Sequence, residues 1–303
     1  MNLSAREIDA STRYCAVYGD PIKHSASPAM QNAGIAALGL NWRYLAFDVH
    51  PDNLPAALAG AKAMNFIGIN LTVPHKLLAV SMVDVLDESA TMWGAVNTIR
   101  FEGKDGAGNW QPLASVQEPH EIRSHGFNTD ADAITQSLSE DLSLPLANAK
   151  VLLLGAGGAG RVAALKLAAE GVSELFLVNR TAAKAQALAV EIRERFPRVS
   201  VSVGYPKTSV QLLLNATSLG LKAEDHLPFD ENEFSLNRAE AVYDMIYRPA
   251  ETPLLRKAKT AGCRVANGLG MLLYQGAKAL EIWSGQPAPV AVMRAALEKN
   301  IYV

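Results

Sequence analysis

From Val151 to Leu154 an apolar run feeds a Gly155-x-Gly157-x-x-Gly160 turn, and a helix-forming segment, Arg161 to Ala169, follows at once. Strand, tight turn and helix in that order bring the first N–H groups of the helix to face a pyrophosphate. The next strand, Glu174 to Val178, ends where the ribose of an adenosine half would lie. A dinucleotide with a free 2′-hydroxyl is usually held there by Asp or Glu. This chain offers Asn179-Arg180-Thr181 and then Lys184, which suit a 2′-phosphate instead. The glycine pattern alone also arises where a strand and a helix simply pack closely. Strand, turn, helix and arginine in register point to NADP(H).

The other polar residues that could do chemistry stand in short motifs at strand ends. His24-Ser25-Ala26-Ser27-Pro28 follows a strand and opens a helix. Its two hydroxyls suit a small carboxylate, helped by the helix N-terminus; the alternative is that Ser27 only caps the helix at Pro28. In Gly68-Ile69-Asn70-Leu71-Thr72-Val73-Pro74-His75-Lys76, apolar and polar residues alternate, so Asn70 and Thr72 are expected on one strand face. Lys76 emerges just past the strand end, where ligands gather in α/β sheets, rather than on a featureless surface. Gly94-Ala95-Val96-Asn97-Thr98 and Gly126-Phe127-Asn128-Thr129-Asp130 are two further Asn-Thr pairs, each open to the plainer reading of a turn or a helix cap.

Strand-like and helix-like patterns alternate along the chain, which calls for mostly parallel sheet covered by helices. Strands are expected at 14–18, 44–49, 66–71 and 95–101, with helices at 28–38 and 53–63 between them. The stretch from Glu102 to His125, rich in Gly, Pro, His and charge, reads as an irregular excursion. A helix from Asp130 to Leu142 opens a second series, with strands at 199–203, 212–215, 241–243 and 264–266. Thr252-Pro253 is a helix cap followed by proline in the first turn, and Gly262 ends that helix. Closing helices are expected at 271–283 and 289–298. The expected architecture is two α/β domains. The first half reads as one α/β domain and the middle as a nucleotide-binding domain, with the active site in the cleft between them.

The chain has 303 residues, enough for two cores, and its net charge of −2 gives no case for nucleic acid or an anionic membrane. Cys15 and Cys263 lie in apolar segments and read as reduced core residues. No apolar run approaches the ~20 residues of a membrane span, and Met1 to Arg13 lacks the apolar heart of a signal peptide. The histidines show no metal-ligand spacing, so no metal is expected. A cytoplasmic enzyme with a small-molecule substrate, monomeric or homodimeric, is the expectation.

Taken together and in order, the motifs resemble shikimate dehydrogenases over almost the whole chain. The matching residues are Ser25-x-Ser27-Pro28, Asn70-x-Thr72-x-Pro74-x-Lys76, Gly94 to Thr98, Asn128-Thr129-Asp130, Gly155 to Ala159, Asn179-Arg180-Thr181, Asn215-Ala216-Thr217-Ser218, Tyr243 to Tyr247, Gly268 to Leu272 and Gln275-Gly276-Ala277. The resemblance implies reversible NADPH-dependent reduction of 3-dehydroshikimate to shikimate, on the route to aromatic amino acids. It also implies that residues 1–129, with 271–303 packing back, are an N-terminal substrate-binding and catalytic domain and 130–270 a Rossmann-type NADP-binding domain. By position, Ser25 and Ser27 would bind the substrate carboxylate. Thr72, Asn97, Asp130 and Gln275 would hold ring hydroxyls, with Tyr247 nearby. Lys76 and Asp130 match the family's catalytic pair. Gly155, Ala156, Gly157, Gly158 and Ala159 would meet the pyrophosphate, and Asn179, Arg180, Thr181 and Lys184 would surround the 2′-phosphorylated ribose. Met245 and Gly268 would lie near the nicotinamide.

Two departures from the family pattern stand out. The Glu102–His125 excursion is longer than usual, and it folds either as a flap beside the site or as a loop on the far side. Ala131 follows Asp130 where the family commonly has Gly, and a helix start tolerates either. A quinate or mixed quinate/shikimate dehydrogenase is the alternative within oxidoreductases, and a non-catalytic metabolite-sensing module on the same fold is the alternative of another class. A methylenetetrahydrofolate dehydrogenase would carry Tyr-x-x-x-Lys, and Thr72 stands where that Tyr is required.

Overall fold

The computed structural model describes residues 7–222 and 224–302; the polar start read from Met1 to Arg13 lies in part outside them. The chain divides into two compact units, residues 1–130 with 273–303 and residues 131–272.

The first unit opens with β1 (Arg13–Gly19), α1 (Ser27–Ala37), β2 (Trp42–Asp48), α2 (Leu54–Ala63) and β3 (Gly68–Leu71). Then come α3 (His75–Leu78), β4 (Val85–Leu86), α4 (Glu88–Trp93), β5 (Thr98–Lys104), β6 (Trp110–Pro112) and β7 (Ile122–Phe127). The sheet order is β2-β1-β3-β5-β7-β4, with β6 paired to β5. β1 is parallel to β2 and β3, whereas β5 is antiparallel to both β3 and β7. The central strand β3 is buried at every residue, as a strand covered on both faces must be.

The stretch from Glu102 to His125 is not the irregular excursion its composition suggests. β5 continues through Glu102 to Lys104, and β7 has already begun at Ile122. The charges that read as loop are strand residues paired across the ladder, with Glu102 opposite Arg123 and Arg100 opposite His125. Arg123 Nε donates to Glu102 Oε2 (2.7 Å), His125 Nδ1 lies 2.9 Å from Oε1, and Arg100 completes the cluster. Burial alone would raise the Glu102 pKa, but hydrogen bonds from His125, Arg100 and Arg123 hold it down at about 2. Because Thr98 pairs with Asn70 and Phe127, β5 runs away from the strand ends that carry the Asn-Thr motifs. The insertion therefore extends the opposite end of the sheet and is no flap over those motifs.

The second unit contains α5 (Asp130–Leu142), β8 (Lys150–Leu154), α6 (Gly158–Ala169), β9 (Glu174–Val178) and α7 (Ala182–Arg195). It continues through β10 (Ser200–Val203), β11 (Val210–Asn215), β12 (Ala239–Asp244), α8 (Pro253–Thr260) and β13 (Arg264–Asn267). All six strands are parallel, in the order β10-β9-β8-β11-β12-β13. Numbered within the unit this is 3-2-1-4-5-6, the doubly wound dinucleotide-binding order. Leu152, Leu153 and Leu154 are fully buried because helices cover both faces. Thr252 caps α8, accepting from Leu255 N at 3.3 Å. The chain then enters α9 (Leu269–Ser284) and α10 (Val290–Tyr302), and α10 packs on α1 in the first unit. Among the described residues no helix is long and apolar enough to cross a membrane.

Candidate active site

In the first unit a polar network runs beneath the strand ends. α1 begins after Ala26, whose side chain makes no cap bond, and Ser27 occupies its first position. The local cap is instead Ser25 Oγ, which accepts from Ser27 N at 3.3 Å. Ser27 is thus not a cap residue; it lies buried in the first turn of α1, and the chain of side-chain bonds starts at Tyr44 on β2. Tyr44 Oη donates to Asn70 Oδ1 (2.8 Å), and Asn70 Nδ2 donates to Thr98 Oγ1 (3.0 Å). Thr98 reaches Asn97 Oδ1 (3.3 Å), and Asn97 Nδ2 donates to Asp130 Oδ1 and to Thr129 Oγ1, both at 2.9 Å.

Lys76 ends this network. The short helix α3 follows β3 directly, and Lys76 O accepts from Val96 N at 2.8 Å, which ties that turn to the segment before Asn97. Lys76 Nζ lies 2.7 Å from Asp130 Oδ2. The lysine side chain is 26% exposed and the aspartate 7%, so the ammonium can reach a ligand while the acid stays behind it. Asp130 offers one oxygen to Lys76 and the other to Asn97, which fixes the carboxylate plane. Around it, Asn128 Oδ1 accepts from Asp130 N (3.1 Å), Asn128 Nδ2 holds Ala95 O (3.0 Å), and Thr129 Oγ1 donates to Gln275 O (3.0 Å). Thr72 is held through its backbone, by Thr72 N to Tyr18 O (3.0 Å) and His75 N to Thr72 O (2.8 Å), and its side chain is partly exposed.

In the second unit, Gly155 has φ +102°, and a Cβ on Gly160 would sit 2.1 Å from Gly155 O, so the turn needs glycine at both places. Ala156 N donates to Asn179 Oδ1 (2.9 Å) and Asn179 Nδ2 to Thr181 O (2.9 Å), so Asn179 braces the glycine turn against the end of β9. Arg180, Thr181 and Lys184 are exposed, and among the described residues neither Arg180 nor Lys184 is paired with an acid. A Cβ on Gly157 or Gly158 would meet nothing within 4 Å, so the mouth of the turn is open. Both features fit a phosphorylated dinucleotide. Met245 and Tyr247 follow β12 in this unit; a Cβ on Gly268 would sit 2.0 Å from Met245 O, which brings Gly268 and Met245 together. Tyr247 is therefore in a different unit from the other residues assigned to the substrate.

Sequence reasoning missed two residues. Tyr44 is fully buried, and a buried tyrosine hydroxyl needs a partner; its place in a strand-like run was the available signal. Asp244 ends β12 directly after the buried run Ala241–Tyr243 and is itself 0% exposed. Burial raises its pKa to about 6 against hydrogen bonds from Thr252, Ile246 N and Asn215.

Comparison with known proteins gives three family matches along the chain. Residues 17–99 match the shikimate dehydrogenase substrate binding domain, 137–202 match shikimate / quinate 5-dehydrogenase, and 268–298 match the shikimate 5'-dehydrogenase C-terminal domain. The NADP(+) shikimate dehydrogenase of Methanopyrus kandleri is 37% identical over 97% of this chain and 98% of its own. A crystal structure of a shikimate dehydrogenase in complex with NADP+ superposes with a TM-score of 0.83 at 34% identity, covering 98% of each chain. The Thermus thermophilus enzyme in complex with NADP(H) and shikimate gives 0.79 at 34%, covering 95% of this chain and 99% of its own.

Proposed function

Because this chain belongs to the shikimate dehydrogenase family, we propose that it is a cytoplasmic NADP-dependent shikimate dehydrogenase, interconverting 3-dehydroshikimate and shikimate. The observation that carries the proposal is the Lys76–Asp130 pair at 2.7 Å, its acid held from the other side by Asn97. A partly exposed ammonium held against a buried acid is what proton transfer to a ketone oxygen requires.

When bound, NADPH supplies the hydride. Lys76 then stabilises the charge developing on the carbonyl oxygen and donates its proton there, and in the reverse direction it receives the proton of the hydroxyl. Asp130 orients that ammonium and the reacting hydroxyl together. Ser25 and Ser27 bind the ring carboxylate, while Thr72, Asn97 and Gln275 take the remaining hydroxyls, with Tyr247 as a further contact. The turn from Gly155 to Ala159 receives the pyrophosphate on backbone N–H groups. Arg180, Thr181 and Lys184 take the 2′-phosphate, with Asn179 bracing them, and Met245 and Gly268 flank the nicotinamide. The net charge of −2 supports a small-molecule substrate without nucleic acid.

The test is to mix pure protein with shikimate or quinate, each with NADP+ or NAD+, and follow the absorbance of the reduced nicotinamide. Fastest reduction with shikimate and NADP+ is expected. Quinate turned over faster than shikimate would replace the substrate assignment, and no reduction with any pair would remove the enzymatic one.

A further inference from the structure

We propose that Asp244 is a positioning residue for the nicotinamide half of the dinucleotide, its buried carboxylate locking together the two turns that leave β11 and β12. The proposal rests on the reading of this unit as the NADP(H) site. In the order β10-β9-β8-β11-β12-β13 the chain reverses direction beyond β8. A dinucleotide across the strand ends places its adenosine half over β9, where Arg180 stands, and its other half over β11 and β12.

Asp244 is the last residue of β12 and makes hydrogen bonds in three directions. Oδ2 accepts from Thr252 Oγ1 (2.7 Å); Oδ1 accepts from Asn215 Nδ2 (3.0 Å) and from Ile246 N (3.1 Å). Asn215, the last residue of β11, carries the connection onward. Its Oδ1 accepts from Thr217 N (3.0 Å) and Thr217 Oγ1 (2.8 Å), and its Nδ2 also donates to Leu219 O (3.2 Å). Asn215 O accepts from Met245 N at 2.9 Å. Thr252 couples the far side, because the same hydroxyl caps α8.

The two turns so joined meet the rest of the dinucleotide site directly. A Cβ on Gly155 would lie 2.9 Å from Ala216 O, so the turn after β11 rests on the pyrophosphate turn. The turn after β12 carries Met245, against which Gly268 closes. All three groups that Asp244 contacts are donors, so it must offer acceptors on both oxygens; an amide would turn an N–H toward one of them. Among the described residues Asp244 has no cation partner, and it is sealed from solvent. A buried acid without a counter-ion is costly to keep, and the function it serves here is to hold two turns at one spacing.

Calorimetric titration with NADP+ and with adenosine 2′,5′-bisphosphate, which carries the adenosine half alone, separates positioning from general support. Asp244→Asn keeps the volume and replaces one acceptor by a donor. The folded variant should bind NADP+ about five- to tenfold more weakly, the scale of one ordinary hydrogen bond. Its affinity for the bisphosphate should stay within about twofold, on the same scale. Thr252→Val, which removes the donor from the opposite side, should reproduce that split, and Thr252→Ser should abolish it. Folded Asp244→Asn protein that binds both ligands like the wild type, or loses both to the same extent, would overturn the proposal alone. Wild-type protein that binds neither ligand would overturn the nucleotide reading and this proposal with it.

Discussion

Arg180 and Lys184 are exposed cations with no acid paired to them among the described residues, and that freedom is what a dianionic phosphate requires. Arg180→Ala should raise the Michaelis constant for NADP(H) at least about tenfold, the equivalent of one or two charged hydrogen bonds, with NAD(H) use little changed. Steady-state kinetics with both coenzymes checks this, and unchanged NADP(H) kinetics would remove Arg180 from the site. Ser27 lies inside α1 and does not cap it, so Ser27→Ala should weaken shikimate binding while stability falls by no more than about 1 kcal/mol, the net value of one hydrogen bond. A large stability loss with unchanged affinity would return Ser27 to a structural role. At this scale Lys76, Asn97 and Asp130 were legible, because each stands in a motif at a strand end. Tyr44 and Asp244 were not, because their partners, Asn70 and Asn215, become neighbours only when each sheet is assembled.

At the scale of elements, two buried acids carry opposite pH signatures. Glu102 has a folded pKa of about 2, below its ordinary 4.5, so its stabilisation is complete above about 4.5 and lost as pH falls toward 2. Asp244 has a folded pKa of about 6, above its ordinary 3.8, so the folded state holds the extra proton in that window and stability falls as pH rises through it. Thermal unfolding across the acid range should show Glu102→Gln flattening the lower slope and Asp244→Asn the upper one; a variant with the wild-type slope would contradict the corresponding sign. Glu102→Gln should also leave turnover unchanged, since β5 carries that residue away from Lys76 and Asn97. Glu102 is likewise where reading by composition failed. Charge, Gly and Pro between residues 102 and 125 look like loop until the ladder sets Glu102 opposite Arg123 and Arg100 opposite His125. The glycine turn after β8 and the Thr252-Pro253 start of α8 were legible because each depends only on residues a few positions apart, whereas β3 ends at Leu71 and is buried at every residue, so Thr72 does not share a strand face with Asn70.

For the molecule as a whole, the proposed reaction draws on both units: the Lys76–Asp130 pair belongs to the first, and the doubly wound strand order to the second. The claim that joins them is that Lys76 moves the proton in an NADP-dependent oxidation of shikimate. Its most direct test is Lys76→Ala, measured for turnover with shikimate and NADP+ and, separately, for shikimate affinity by calorimetry. Turnover should fall by about two to four orders of magnitude, the usual scale for a general acid or base. Affinity should fall far less, because the contacts assigned to Ser25, Ser27, Asn97 and Gln275 remain. Lys76→Ala protein with near-normal turnover would contradict the account.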